Sequence, residues 1–306
     1  MIRNRLKPKN DFIFQRLFGE TETKETLIAL LNAILCLPSD RQLADVVVIE
    51  NKALMQEFIE DKTGRLDIRA ETLDGVQINI EMQMANEHNM DRRTLFYFGK
   101  LFLESIKSGD KYQDLKRTIT INLLNFNFLP LESFHSTFHL YEDHTRDYML
   151  TDLIELHFIE FPKFRAMQHN LHDPLHRWLL FMEENLTEEQ LEELIQMDPM
   201  IKKTEERLEW LSSDEETRRR YEMRENSRIE LNSLLYEEKK QGIAVGKIEG
   251  KIEGKIEGKI EGKIEGIAEG KIEVAKEMLL AGMSHEAISS LTKLPLKDIQ
   301  HLADEL

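Results

Sequence analysis

RLDIRAETLDGVQINIEMQ, residues 65–83, is the stretch on which the fold turns. Leu66, Ile68 and Ala70 alternate with Arg65, Asp67 and Arg69, and Ile78, Ile80 and Met82 alternate with Asn79, Glu81 and Gln83. A strand turns successive side chains to opposite faces, so each segment predicts a strand with one apolar and one polar face. Leu73-Asp74-Gly75 between them supplies turn chemistry, since Gly adopts the positive φ a tight turn needs. The two segments predict a β-hairpin in which Asp67 projects beside Glu81 across the ladder, with Gln83 next along the same face.

Upstream, residues 11–37 carry apolar positions at helical spacing (Phe14, Leu17, Phe18, then Leu27, Ile28, Leu31, Ile34, Leu35), with Gly19 as a stop between two helices. VVVIE at 46–50 is a β-branched run that predicts a strand. Downstream, Leu95, Phe98, Leu101, Phe102 and Ile106 predict a helix over 91–108 that Gly109-Asp110 ends. RTITINLLNFNF at 117–128 then predicts a strand, with further strands at 136–142 and 153–159. Helix, strand, hairpin, helix, strand is the order of a mixed α/β domain, placed here over residues 1–170.

Residues 171–240 predict charged helices with a Leu/Ile/Met stripe. Over 241–273 Gly recurs every four residues, mostly as Gly-Lys-Ile-Glu. In a helix a four-residue period drifts by about 40° per repeat, and each interior Gly costs about 1 kcal/mol relative to Ala. The segment is therefore either a helix whose Ile and Gly rows are covered, most simply by a second copy of the chain, or a flexible spacer. The tail, 274–306, predicts a small helix-turn-helix with Ser284 as an N-cap and Pro295 opening the second helix. Such pairs occur both as DNA readers and as packing units.

The net charge of −16 argues against a nucleic-acid partner at first sight. Its distribution weakens that objection: residues 1–170 hold 21 Lys+Arg and 26 Asp+Glu, net −5, and the remainder holds 20 and 31, net −11. A cleft that binds divalent cations is itself locally acidic. No apolar run is long enough for a bilayer span, the opening MIRNRLKPKND lacks a signal pattern, and the single Cys36 predicts a packed thiol rather than a disulfide framework, so the expected setting is cytoplasmic. No Gly-rich phosphate cradle follows a strand, which argues against a nucleotide cofactor. His135 and His139 stand four apart in strand text, about 13 Å along a strand, so they predict no shared metal with each other or with His144.

Two converging carboxylates, Asp67 and Glu81, are suitable ligands for a hard cation that holds a phosphate and activates water. Spacing alone is equally that of a solvated hairpin face. The surrounding text carries more. Asp67-x13-Glu81-x-Gln83 resembles the D-x(n)-(D/E)-x-K core of PD-(D/E)XK nucleases. RLDIRAETLDGVQINIEMQ, Arg93-Thr-Leu-Phe-Tyr97, KSGDKYQDLKRTITINLLNF at 107–126 and LHFIEFPKF at 156–164 together resemble the Rpn family of recombination-promoting nucleases and putative transposases. The opening Asp11-Phe-Ile-Phe14-Gln-Arg-Leu-Phe18-Gly19 is similar to that family's D-x-x-F-K-x-x-F-G helix, with Gln15 at the usual lysine.

The resemblance implies a restriction-endonuclease-like mixed sheet flanked by helices, followed here by an all-helical C-terminal region with the Gly-Lys-Ile-Glu repeat. It implies a Mg²⁺- or Mn²⁺-dependent DNA endonuclease that promotes recombination or transposition-like exchange, with Asp67 and Glu81 as metal ligands and Asp11 as a third acidic contact. Gln83 stands at the lysine position and removes the cation that would stabilise a transition state. Arg93 and Lys100 on the next helix are candidates to supply it, with Tyr97 on the face of Arg93; plain packing against the sheet accounts for Arg93 and Tyr97 equally well. DNA is the expected partner, and cutting both strands predicts a homodimer. The competing expectations are a degenerate nuclease that binds without cutting, and an interaction protein that works through the repeat.

Overall fold

The computed structural model describes residues 5–49, 68–145 and 147–306, without the side chains at positions 228, 231, 232 and 235. They form two compact units, Met1–Glu225 and Asn226–Leu306. In the first, α1 (Asp11–Phe18) starts where the Asn10 side chain accepts from the amides of Phe12 and Ile13, satisfying two N–H groups that the first helical turn leaves orphaned. It buries Ile13, Phe14, Leu17 and Phe18. Gly19 stops it at a point of close approach: a Cβ there would stand 2.9 Å from the Gln15 carbonyl oxygen and 3.2 Å from Ile68. α2 (Lys24–Leu35) ends at Cys36, whose φ of 49° is left-handed. Cys36 is exposed there, a correction to the packed thiol expected from its apolar neighbours.

The described strands are β1 (Val46–Val48), β2 (Ile68–Thr72), β3 (Gln77–Gln83), β4 (Thr118–Leu124), β5 (His135–Tyr141) and β6 (Met149–Glu160), in sheet order β1-β2-β3-β4-β6-β5. β2 and β3 are the predicted hairpin, paired Ile68 to Ile80 and Ala70 to Ile78, with Gly75 at φ +87° in the turn. β3, β4 and β6 are parallel, the outer pairs antiparallel. β6 begins several residues before the expected 153.

The sheet has two different faces. Ile68, Ala70, Ile78, Ile80, Met82, Ile119, Ile121, Leu123 and Ile159 join the residues of α1 and α2 in one apolar core. The opposite face carries Asn79, Glu81, Thr120 and Asn122, and α3 (Met90–Glu104) packs over β3 and β4 on that side. Here the structure corrects the expected register of the helix. Thr94, Tyr97, Phe98 and Leu101 are buried, whereas Leu95 and Phe96 are 58% and 59% exposed.

After α4 (Phe161–Arg165) come α5 (Pro174–Met182), α6 (Glu188–Met197) and α7 (Pro199–Ser213), where Pro174 and Pro199 open their helices behind the caps Asp173 and Asp198. They add Trp178, Leu179, Phe181, Leu194 and Leu208 to the core of the sheet. Two buried ion pairs fasten them to the chain's beginning: Arg5 to Glu205 at 2.9 Å and Lys9 to Glu183 at 3.0 Å. Burial lowers the pKa of the Lys9 ammonium against the pull of Glu183.

α8 (Glu215–Leu280) runs through the whole repeat, so helix rather than spacer is the form the repeat takes. Beyond it, α9 (His285–Thr292) is capped by Ser284, Lys293 ends it at φ +61°, and α10 (Leu296–Asp304) follows. Ala275, Ile288 and Ile299 are buried together, so the tail packs on the last turns of α8. Among the described residues no helix is long and apolar enough to cross a membrane.

Candidate active site

Alternation along β3 sends Asn79, Glu81 and Gln83 to the α3 side of the sheet, opposite the apolar core. This face was expected to be open to solvent or ligand. It is instead covered: Glu81 is 2% exposed and Asn79 0%. Its neighbours converge on the carboxylate. The Asn79 amide donates to Glu81 Oε1 at 3.3 Å, the Gln83 amide donates to Oε2 at 3.3 Å, and Arg93 Nη2 stands 3.7 Å from Oε2. Arg93 comes from the second turn of α3, with its guanidinium 5.5 Å from the centroid of the Tyr97 ring and Nη1 3.9 Å from Glu87. Two amides and a guanidinium on one carboxylate offset part of the cost of burying it.

The structure thus brings together Glu81, Gln83, Arg93 and Tyr97. Asp67 lies outside the described residues, and the described ladder between β2 and β3 ends at Ile68 and Ile80, one residue short of it. Asp11 is placed elsewhere. It opens α1, on the apolar side of the sheet, and its carboxylate pairs with Arg224 at 2.7 Å.

Residues that spacing did not single out complete the layer. Thr94 Oγ1 donates to Asn122 Oδ1 at 3.2 Å, and the Asn122 amide donates to the His157 carbonyl at 3.1 Å. Thr120 pairs with Asn79 and Asn122 with Glu81 in the parallel register. The alternation Thr118, Thr120, Asn122 in TITINLL was the available signal: three polar positions on one face of a strand otherwise rich in Ile and Leu.

The family model for PD-(D/E)XK nuclease family transposases matches residues 8–238. The chain belongs to that family. No curated protein and no solved structure matches it. Glu81 and Gln83 both stand on β3, as the hairpin predicts.

Nucleases of this superfamily typically use a divalent metal. The chemistry of the donors on this face is compatible with one: Glu81 offers a buried carboxylate, and Asn79 Oδ1 and Thr120 Oγ1 are buried oxygens without a hydrogen-bond partner among the described residues. All are hard oxygen ligands of the kind Mg²⁺ and Mn²⁺ take. Among the described residues no three His, Cys, Asp or Glu side chains are grouped to hold a metal. The chemistry of the described donors fits such an ion.

The opposite face holds a second polar network. It joins His135 and His139 of β5 through residues of β6. His135 Nε2 lies 2.8 Å from His157 Nδ1, His157 Nε2 lies 2.6 Å from Glu155 Oε1, and His139 Nε2 and Arg117 meet the other Glu155 oxygen. With Glu155 ionised, His157 Nε2–H donates to it, leaving Nδ1 to accept from His135. Burial, with repulsion from His157, pushes the His135 pKa down to about 4. Burial raises that of Glu155, but hydrogen bonds from His157 and Arg117 prevail and hold it at about 2.

Acid should therefore destabilise this unit in two windows. An unfolded His135 takes its proton from its ordinary 6.5, while the folded one resists until about 4, so stability falls as pH drops between those values. The contribution of Glu155 is present above its ordinary 4.5 and is lost as pH falls towards 2. Urea midpoints measured from pH 8 to 2 should show both steps, and His135→Gln should flatten only the upper one. Parallel curves for the two proteins would remove His135 as the cause.

Proposed function

We propose that the chain is a metal-dependent DNA endonuclease whose cuts promote recombination or transposition-like exchange, with Asp67 and Glu81 holding Mg²⁺ or Mn²⁺ on the polar face of the hairpin. The observation that carries this reading is the convergence of Gln83 and Arg93 on one oxygen of the buried Glu81. When bound, the metal would activate water and neutralise charge on the phosphate.

Each neighbour has a role in this reading. Asn79 and Gln83 hold Glu81 in one rotamer by donating to its two oxygens. Gln83 is neutral and cannot stabilise a developing oxyanion as a lysine would. Arg93, a fixed cation 3.7 Å from the carboxylate, takes over that charge, and Tyr97 holds its guanidinium in place from one helical turn away. Asp11, on the other side of the sheet and paired with Arg224, has no role in this reading. DNA is the substrate, and a homodimer supplies the two sites that cutting both strands requires.

Supercoiled plasmid incubated with the full chain and Mg²⁺ or Mn²⁺ should be nicked and linearised, and EDTA should stop the reaction. A folded protein that leaves plasmid, linear and single-stranded DNA uncut with either metal would replace this reading with a nuclease fold that binds without cutting, the outcome Gln83 would then explain.

A further inference from the structure

We propose that the Gly-Lys-Ile-Glu segment of α8 pairs with the same segment of a second copy of the chain, and that the two helices run parallel. This rests on the homodimer proposed above and gives it a location and a polarity; it does not depend on DNA cutting.

Among the described residues of its own unit, none covers the apolar residues of this segment. Val245, Ile248, Ile252, Ile256, Ile260, Ile264 and Ile267 are all more than half exposed, from 51% at Ile267 to 63% at Ile264. A Cβ added at any of the glycines from Gly242 to Gly270 would meet no atom within 4 Å. A helix this rich in Gly and this bare of neighbours is unstable alone, because helices draw most of their stability from packing an apolar face.

The apolar row keeps to one side of the helix better than the repeat suggests. Five tetrads in succession would wind the Ile row away by about 40° each. The row is re-centred at both ends, however, because Val245 stands three residues before Ile248 and Ile267 three after Ile264. From 245 to 267 the row covers 22 residues in six steps, and 22/6 is about 3.67, the period of the 11-residue repeats that build right-handed coils. The sequence departs from its own repeat where a continuous seam needs it to.

Charge then chooses the direction. Each Ile from Ile248 to Ile264 has Lys before it and Glu after it, which puts Lys about 100° to one side of the seam and Glu about 100° to the other. A two-fold axis along the coil brings the Lys flank of one helix against the Glu flank of its partner on both sides. An antiparallel pair sets Lys against Lys and Glu against Glu. Parallel pairing is thus complementary and antiparallel pairing repulsive, the device by which flanking charges set orientation in coiled coils. The Gly row lies about 160° from the Ile row and faces outward, so close backbone approach through glycine plays no part in the seam.

Light scattering on the full chain should give twice its 36.0 kDa. In a Cys36→Ser background, which removes the exposed native thiol, Ile248→Cys should cross-link to itself under mild oxidation. Mixing Ile248→Cys with Ile264→Cys should give few crossed products. Ile252→Asp combined with Ile256→Asp should weaken the dimer at least about tenfold, since it places charge at the centre of the seam. A monomeric wild type, or crossed 248–264 products in excess of 248–248, would overturn the proposal. Absence of DNA cutting by a dimer that cross-links through position 248 would count against the nuclease reading alone.

Discussion

Glu81→Gln is expected to abolish metal-dependent DNA cutting, by about three orders of magnitude or more, while leaving the protein folded. A metal ligand is worth several kcal/mol of transition-state stabilisation, and each 1.36 kcal/mol is about tenfold in rate. The substitution keeps the shape of the side chain and replaces a buried carboxylate with a neutral amide. Asn79 and Gln83 donate to different oxygens, so the amide, with its single oxygen, can keep only one of those hydrogen bonds, and the partnership with Arg93 is lost. Folding stability should change little, because the variant loses an ion pair but also the cost of burying a charge. Calorimetry with Mn²⁺ separates binding from chemistry: wild type should bind and Glu81→Gln should bind much more weakly. Asp67→Ala should behave in the same way. Undiminished cutting by Glu81→Gln would move the metal off β3 and leave the buried carboxylate a structural role.

Trp178→Ala should have the largest effect on folding. Trp178 is 1% exposed, edge-on to Phe18 of α1 at 5.7 Å and to Phe181 at 6.0 Å. Removing a buried Trp costs about 3–5 kcal/mol through lost transfer energy and the cavity left behind. Total stabilities are about 5–15 kcal/mol, so this one change should take away a large share. Urea denaturation followed by circular dichroism measures it, and melting of the sheet together with the helices is part of the expectation. A loss below about 1 kcal/mol would mean that α5 rests on the sheet unit without sharing its core.

Much of this architecture is legible in the sequence because hydrophobic periodicity is a local property. Gly19 between α1 and α2, Gly75 in the turn, and the alternation of β2 and β3 each follow from residues a few positions apart. What is covered by what is not local. Period two distinguishes the Asn79, Glu81 and Gln83 face from the Ile78 and Ile80 face, but it carries no sign that α3 closes over the polar one. Once that face is buried, the helix must meet it with Thr94, Arg93 and Tyr97, and Leu95 turns outward, against a ranking by hydrophobicity alone. Likewise His135 could be matched to His157 only after the register between β5 and β6 was known. The family resemblance named Glu81 and Gln83; it could not show their shared hydrogen bond.

The repeat in α8 has a consequence for the tail that follows it. Because the helix is continuous from Glu215 to Leu280, inserting or deleting one tetrad would carry α9 and α10 about 6 Å along the axis and turn them by about 40°. Nine such changes would bring the tail once round the axis, about 54 Å further on. Identical tetrads are also the kind of text in which whole units can be gained or lost without disturbing the composition of the seam. Each tetrad is therefore one equal step along and around the axis of α8 for the two helices packed on its end.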